Sequence, residues 1–157
     1  MRIAVFGAGA IGVYLAARLA DSGFSVCLIA RAGTARKIAQ SALHVEETDM
    51  PTLRVFPQDG GLAVTTATGA RKAGAFDALL IAVKSQQILP ALPEIRALIA
   101  PHTLIVCLQN GIPWWYFQGQ DGRPLKCLDP DNELSAALPA RQLLGGVIHK
   151  SVELCRP

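Results

Sequence analysis

The chain has 157 residues, of which 51% are hydrophobic and 17% charged, and its formal net charge is +3. This is the length of one domain that buries about 70% of its unfolded surface, and no apolar run reaches the roughly 18 residues that span a bilayer. There is no basic tract interleaved with aromatics, no leader-like apolar segment and no metal-type cysteine spacing, which argues against nucleic-acid, membrane and metal-binding proteins and favours a cytoplasmic one.

Residues 1–30 predict a strand, a glycine-rich turn, a helix and a second strand, in that order. Each glycine of the turn then has its own steric task. Gly7 permits the tight turn, Gly9 lets the backbone approach a pyrophosphate, and Gly12 lets the helix pack closely on the strand. The free N–H groups at the start of the helix and the positive end of its dipole favour phosphate binding. This stretch therefore predicts a dinucleotide site; the alternative is a βα turn that binds no ligand.

Along the rest of the chain, apolar strand patterns alternate with helix patterns. The predicted elements are a short helix over 33–41, short strands and turns over 43–64, a buried strand over 76–83, a helix over 86–99, a strand over 103–108, a polar loop over 119–141 and a late strand over 143–154. This order predicts an α/β fold with a doubly wound, mostly parallel Rossmann-type sheet and helices on both faces, in one domain over 1–157. Ligands of such sheets bind beyond the carboxyl ends of the strands, so the residues that follow each strand are the candidates for a site.

The end of the second predicted strand indicates which dinucleotide is bound. An NAD site has Asp or Glu there to bind the ribose 2′-hydroxyl, but this chain has Ala30 and Arg31. A guanidinium offers a 2′-phosphate a charge-assisted contact, so the sequence predicts NADP(H) rather than NAD(H). The alternative is that Arg31 is a solvated loop cation. Arg36 and Lys37 could share the phosphate or simply face water.

Lys84 and Asn110 each follow a later apolar strand pattern. Lys84 could bind a phosphate, a ribose or a substrate carboxylate, or it could be a cation at a strand exit whose stem covers apolar surface. Asn110, in Gln-Asn-Gly, could bind the nicotinamide ribose or a keto acid, or it could cap a turn through its own side chain. The residue types alone leave both alternatives open for both residues.

Two groups of residues are expected to be structural. The cysteines are Cys27, Cys107, Cys127 and Cys155. They predict free thiols, buried where they fall inside apolar strands, as Cys27 and Cys107 do. The aromatic group Trp114–Phe117 is expected to pack in the core or against a further domain, since large aromatics dominate cores and interfaces; the alternative is that it stacks on a cofactor.

The candidate residues also form an ordered set of motifs. Its segments are Gly7–Gly12, Arg31, 82–84, 109–111 and 145–147. In this order they resemble the N-terminal domain of ketopantoate reductases (2-dehydropantoate 2-reductases). The resemblance implies an NADPH-dependent oxidoreductase that transfers a hydride to a small-molecule 2-keto acid, 2-dehydropantoate, to form pantoate in pantothenate biosynthesis.

The resemblance also implies roles for individual residues. The pyrophosphate would be bound by Gly7, Ala8, Gly9, Ala10, Ile11 and Gly12. Arg31 would bind the 2′-phosphate, and Lys84 would contact the cofactor near its reacting end. Asn110 would contact both the nicotinamide ribose and the substrate, so that Lys84 and Asn110 are the catalytic positioning residues. Lys150 falls near a place where the family brings backbone close to the cofactor.

Members of that family continue into an α-helical C-terminal domain that supplies a proton-donating lysine and a substrate-binding glutamate, and this chain ends before either. We therefore expect the chain alone to be inactive, and the surface left by the absent domain to allow self-association or a homodimer. Two alternatives stay open: an NADP-binding or sensing module without chemistry, and the Rossmann domain of a related dehydrogenase with another substrate.

Overall fold

The computed structural model describes residues 1–48, 50–57, 60–117 and 125–155. The strands in these ranges are β1 Arg2–Phe6, β2 Ser25–Ile29, β3 Leu43–Val45, β4 Leu53–Val55, β5 Leu62–Thr65, β6 Ala78–Ile81, β7 Leu104–Cys107 and β8 Leu143–Gly145. The helices are α1 Ala10–Asp21, α2 Ala32–Ala39, α3 Ala67–Lys72, α4 Ile88–Arg96 and α5 Glu133–Ala137, with 3-10 turns at Ser85–Gln87 and Ala140–Gln142. None of the helices in the described ranges is long and apolar enough to cross a membrane.

Six of these strands form one parallel sheet in the order β5-β2-β1-β6-β7-β8. Strand β1 lies inside it, with Val5 opposite Leu28 of β2 and Leu80 of β6. The chain winds from β1 to one side through β2 and β5, and then to the other side through β6, β7 and β8. This reversal at the carboxyl end of β1 is where doubly wound sheets bind ligands. The predicted doubly wound parallel fold is confirmed.

Helices cover both faces of the sheet, as predicted. On one face α1 packs together with the separate antiparallel hairpin β3–β4 in a core that includes Val5, Ala16 and Leu28. On the other face α3, α4 and α5 pack in a core that includes Leu79 and Ile95. The inner strands are almost wholly apolar because both of their faces are buried.

The late strand is much shorter than predicted. Strand β8 ends at Gly145, opposite Cys107, rather than at Leu154. The N–H of Gly146 still donates to the carbonyl of Cys107 at 2.8 Å, but β7 itself ends there, so the following residues have no strand beside them in the described ranges. Residues 146–150 run on without regular structure and are called the strap below.

Two helices were not predicted. Helix α3 lies in a basic, glycine-bearing stretch and is capped by Thr66, whose hydroxyl accepts from the N–H of Gly69 at 3.3 Å. Helix α5 lies in the predicted loop over 119–141, of which residues 119–124 fall outside the described residues. The buried carboxylate of Asp129 caps α5 by accepting from the N–H groups of Leu134 (3.1 Å) and Ser135 (2.9 Å). Burial opposes ionisation of Asp129, but these hydrogen bonds outweigh it and hold its pKa below the usual range.

Candidate dinucleotide-binding site

The glycine-rich turn begins at Gly7, directly after β1. Gly7 has φ +113°, a conformation that side chains disfavour, and its N–H donates to the carbonyl of Ile29 at 3.0 Å. A Cβ atom at Gly7 would lie 2.6 Å from Cγ1 of Val83 and 3.1 Å from its backbone nitrogen. Position 7 therefore requires glycine for two reasons: its backbone conformation, and its close contact with Val83 in the segment that follows β6.

The other two glycines of the turn have opposite surroundings. A Cβ atom at Gly12 would lie 1.8 Å from the carbonyl oxygen of Gly7, so α1 can approach the turn only with glycine there. Apart from Gly9 itself and its two chain neighbours, no described residue has an atom within 4 Å of the Cβ position of Gly9, and no described side chain caps α1. Gly9 is exposed and no described side chain caps α1, so the start of the helix adjoins solvent, which is the arrangement that accommodates a phosphate.

The carboxyl edge of the sheet places the predicted site residues in one line. In sheet order, Arg31 follows β2, the glycine turn Gly7–Gly12 follows β1, Lys84 follows β6 and Asn110 follows β7. These are four adjacent strands, so at about 4.8 Å per strand the line is roughly 14 Å long. The fold brings together residues that are up to 103 positions apart between Gly7 and Asn110.

Arg31 occupies the residue just before α2 and is exposed. Among the described residues, its guanidinium has no hydrogen-bond or carboxylate partner, so its donors are free for an anion. Arg36 and Lys37 lie in the last turn of α2 and are exposed as well.

Lys84 precedes the 3-10 turn after β6, and its backbone is fixed from both sides. Its N–H donates to Oε1 of Gln87 at 3.1 Å, and its carbonyl accepts from the N–H of Gln87 at 2.8 Å. Its side chain is exposed, and in the part of the chain that the structure describes the ammonium group has no partner.

The adjacent amides of Gln109 and Asn110 bind in different directions. Nε2 of Gln109 donates to the carbonyls of Ile81 (2.7 Å) and Val83 (2.8 Å), at the end of β6. Asn110 binds the backbone of Ile148 in the strap twice: Nδ2 donates to its carbonyl and Oδ1 accepts from its N–H, both at 2.9 Å. Asn110 therefore ties the strap to the end of β7 and does not cap its own turn. The predicted contact of Asn110 with a cofactor or substrate stays a prediction.

Comparison with known proteins identifies the family of this domain. A family model described as ketopantoate reductase PanE/ApbA matches residues 3–156. The chain belongs to the ketopantoate reductase family. The resemblance inferred from the motifs is confirmed.

Individual relatives agree with this assignment. A 2-dehydropantoate 2-reductase from Mesorhizobium japonicum is 35% identical over 164 residues, which cover 100% of this chain and 47% of that protein. A solved structure described as a ketopantoate reductase from Ralstonia solanacearum has a TM-score of 0.83 and 33% identity, and covers 99% of this chain and 47% of that one. An NAD(P)+ glycerol-3-phosphate dehydrogenase from a Bradyrhizobium strain is 40% identical over 111 residues, 70% of this chain and 32% of that protein. The chain thus spans about half the length of its ketopantoate reductase relatives.

In this member of the ketopantoate reductase family, the side chain of Lys150 contacts a cluster formed by Tyr14, Arg18 and Glu47, which the sequence did not predict. The ammonium of Lys150 binds Oε1 of Glu47 and lies 5.4 Å from the centre of the Tyr14 ring. Glu47 also accepts from the hydroxyl of Tyr14 at 3.2 Å and lies 3.6 Å from the guanidinium of Arg18. The hydrogen bond from Lys150 is the main reason why the pKa of Glu47 lies below its usual range, and the same bond raises the pKa of Lys150. The cluster joins the strap to α1 and to the end of β3, which no local pattern could indicate.

The aromatic group after Asn110 contributes to the core, as predicted for part of it. Trp114 is 6% exposed and packs in the core on the side of α4, with its ring edge-on to Trp115 at 4.2 Å between centroids. Tyr116 is 54% exposed. The group is therefore partly core and partly surface.

The cysteines inside strands are buried, and those outside strands are exposed. Cys27 and Cys107 lie in β2 and β7 and are buried, as predicted. Burial raises the pKa of Cys27 to about 11 and that of Cys107 to about 12, so both are protonated near neutral pH. Cys127 and Cys155 are exposed.

Proposed function

We propose that this chain is the NADPH-binding domain of an oxidoreductase that reduces a 2-keto acid, 2-dehydropantoate to pantoate, in pantothenate biosynthesis. The observation that carries the proposal is the line of groups along the carboxyl edge of the sheet. It runs from the guanidinium of Arg31, across the glycine turn, to a lysine and an amide, and it crosses the switch point of the fold. This is the order in which an extended dinucleotide presents its 2′-phosphate, its pyrophosphate and its nicotinamide end. Neither the guanidinium nor the start of α1 has a side-chain partner among the described residues.

The residues at one end of the line would hold the adenosine half of the cofactor. Arg31 would donate to the 2′-phosphate, which favours NADPH over NADH because a hydroxyl offers no charge. The amides at Gly9, Ala10 and the following residues of the turn would donate to the pyrophosphate. The open space at Gly9 leaves room for that approach.

Lys84 and Asn110 would stand at the nicotinamide end. When bound, NADPH supplies the hydride that adds to the keto carbon. Lys84 would place a positive charge beside the substrate carboxylate or the cofactor, which orients the reactants. Asn110 could bind the nicotinamide ribose or the substrate while it stays bound to the strap. Its amide makes one donor and one acceptor bond to Ile148, which leaves one N–H and one lone pair free for a ligand. The ammonium of Lys150 would contact the cofactor only if it left Glu47, whereas its backbone could lie beside the cofactor with that ion pair intact.

We assign the protonation of the product oxygen to the part of the family's proteins that this chain does not span. Hydride addition to a ketone leaves an alkoxide, and a positioned acid that protonates it accelerates such a step by about 10²–10⁴. The family resemblance implies that a lysine of a helical C-terminal domain is this acid. The chain spans 47% of the Mesorhizobium reductase, which leaves room for such a domain.

The test compares binding with turnover on the 157-residue chain. Isothermal titration is expected to show NADPH binding that is tighter than NADH binding. The chain is expected to oxidise no NADPH with 2-dehydropantoate above background and to self-associate in sedimentation experiments through exposed apolar side chains such as Ile112 (68% exposed) and Val147 (70% exposed). Absence of NADPH binding would overturn the proposal, and turnover proportional to the concentration of the purified chain would overturn the assignment of the acid to another domain.

A related dehydrogenase with another substrate is the second candidate. The similarity to a glycerol-3-phosphate dehydrogenase supports it, since the Rossmann half alone serves many substrates. A relative that carries both halves separates the candidates: reduction of 2-dehydropantoate in preference to dihydroxyacetone phosphate supports the first. Failure to oxidise NADPH with any keto substrate would favour a sensing module.

A further inference from the structure

The side chain of Gln109 joins the ends of two neighbouring strands at the candidate site. It follows β7, but both of its amide hydrogen bonds go to β6 and the residues just after it, at Ile81 and Val83. The carbonyl of Ile81 also accepts from the N–H of Leu108 at 3.2 Å, whereas Gln109 is the one described partner of the Val83 carbonyl. The position of Val83 thus depends on this amide.

Val83 in turn touches two parts of the proposed cofactor site. Its side chain packs against Gly7, where a Cβ atom would lie only 2.6 Å from Cγ1 of Val83. It also directly precedes Lys84. Gln109 is therefore one hydrogen bond away from the residue that links the glycine turn to the lysine.

We propose that Gln109 is a positioning residue for the NADPH site: by holding the carbonyls of Ile81 and Val83, it sets Val83 against the glycine turn and fixes the direction in which Lys84 leaves the sheet. The inference rests on the proposed function, because it assumes that the glycine turn and Lys84 bind the cofactor. It assigns Gln109 no contact with cofactor or substrate.

The hydrogen bonds of Gln109 fit this role because its side-chain amide only donates. Its Oε1 atom is buried and has no partner among the described residues, which is unusual for a buried acceptor. A glutamate at this position would turn a carboxylate oxygen toward two carbonyls and repel them. A methionine would fill similar space but leave the Val83 carbonyl without its partner.

The chain offers a matched control at the other end of β7. Nε2 of Gln142 likewise donates to two backbone carbonyls, those of Ala100 (2.9 Å) and Thr103 (2.7 Å), but these precede β7 and lie at the amino edge of the sheet. Gln109→Met and Gln142→Met remove the same kind of bond pair. Both should lower the melting temperature, and only the first should affect the cofactor.

The experiment measures the Kd of NADPH by isothermal titration for the wild-type chain, Gln109→Met, Gln142→Met, Lys84→Ala and the double variant Gln109→Met/Lys84→Ala. We expect Gln109→Met to raise the Kd by roughly tenfold and Gln142→Met by less than about twofold, as for residues inside and outside one coupled network. Lys84→Ala raises the Kd by some factor in each background. If Gln109 acts through Lys84, this factor should be at least about threefold smaller in the Gln109→Met background than in the wild type.

Each outcome decides the inference. Equal effects of Lys84→Ala in both backgrounds, or equal effects of the two glutamine variants on the Kd, would overturn it while leaving the proposed function intact. A wild-type chain that binds no NADPH would overturn the proposed function and this inference with it.

If Gln109→Met does not fold, Gln109→Glu provides the test through its pH dependence. A protonated glutamic acid can donate to one of the two carbonyls, whereas the carboxylate cannot. The Kd of NADP+ for this variant, relative to the wild type at each pH, should therefore fall as the pH is lowered from 8 toward 5, since burial raises the pKa of such a carboxyl. A ratio that does not change with pH would overturn the inference.

Discussion

A methyl group at Gly9 and one at Gly12 should have opposite effects on this domain. At Gly12 the new Cβ atom would lie 1.8 Å from the carbonyl oxygen of Gly7, far inside the 3.4 Å at which ordinary contact begins. The obstacle is backbone, so it cannot rotate away, and the cost lies at or above the upper end of the 1–3 kcal/mol typical of overpacking. Alanine returns up to about 1 kcal/mol through its helix propensity. Gly12→Ala should therefore destabilise the fold by about 2–4 kcal/mol and lower Tm by roughly 5–15 °C.

At Gly9 the new Cβ atom would have no described residue within 4 Å beyond its chain neighbours, and the backbone there, with φ −82° and ψ −176°, suits alanine. Alanine is a poorer N-cap than glycine by roughly 0.5–1 kcal/mol, and the loss of backbone freedom in the unfolded chain offsets about 0.4–1 kcal/mol, so Tm should stay within about 2 °C. The methyl group would, however, occupy the space that the proposed pyrophosphate needs. We expect the Kd of NADPH to rise at least roughly tenfold, which corresponds to about 1.4 kcal/mol.

Differential scanning calorimetry and isothermal titration on the two variants measure both effects, with Gly33→Ala as the control. Gly33 lies in α2, and a Cβ atom there also meets nothing within 4 Å, but it is not part of the turn. A wild-type Tm for Gly12→Ala would refute the packing argument. Wild-type NADPH affinity for Gly9→Ala would refute the placement of the pyrophosphate at this turn.

Three further predictions concern single groups. Arg31→Ala should weaken NADPH binding by about 1.5–3 kcal/mol, the range for hydrogen bonds to charged groups, and leave NADH binding nearly unchanged; equal losses in calorimetry would contradict the 2′-phosphate assignment. Because the pKa of Asp129 is lowered in the folded state, its stabilising effect is present above its unfolded pKa near 4 and is lost as the pH falls through the folded pKa. In urea titrations Asp129→Asn should therefore reduce the free energy of unfolding by about 1–3 kcal/mol at pH 7 and by progressively less below about pH 4, and a difference that is independent of pH would contradict this. A disulfide-exchange reagent should react rapidly with the two exposed thiols of the native chain, Cys127 and Cys155, and with all four only in denaturant; rapid reaction of a third native thiol would show that β2 or β7 opens easily.

The amino-acid sequence by itself determined the parts of the structure that depend on local sterics and on burial of whole strands. Glycine at positions 7 and 12 is demanded by one turn and one close helix approach, so the turn was predictable from a dozen residues. The apolar run over 78–83 indicates a strand that is buried on both faces, and β6 is that strand. The order of such stretches then sufficed for the doubly wound sheet, because parallel strands joined by helices have few possible arrangements.

Tertiary structure decided what depends on partners that are distant in the chain. The alternation over 143–154 is typical of a strand, yet β8 stops at Gly145 because β7, its one neighbour among the described strands, stops at Cys107. Helix α5 has only five residues and is too short to be stable alone; it forms because the buried Asp129 caps it and Leu134 packs in the core.

Dependence on partners that are distant in the chain also explains why some residues of the candidate site could be predicted from the sequence and others could not. Gly7–Gly12 and Arg31 could be recognised within consecutive segments, whereas the partners of Gln109, Asn110 and Lys150 could not. Their hydrogen bonds join residues 26 to 103 positions apart, and such contacts exist only once the sheet has brought the strand ends together. Hydrophobic periodicity describes each element alone, so it carries no information on which side chain will face which carbonyl across the folded edge.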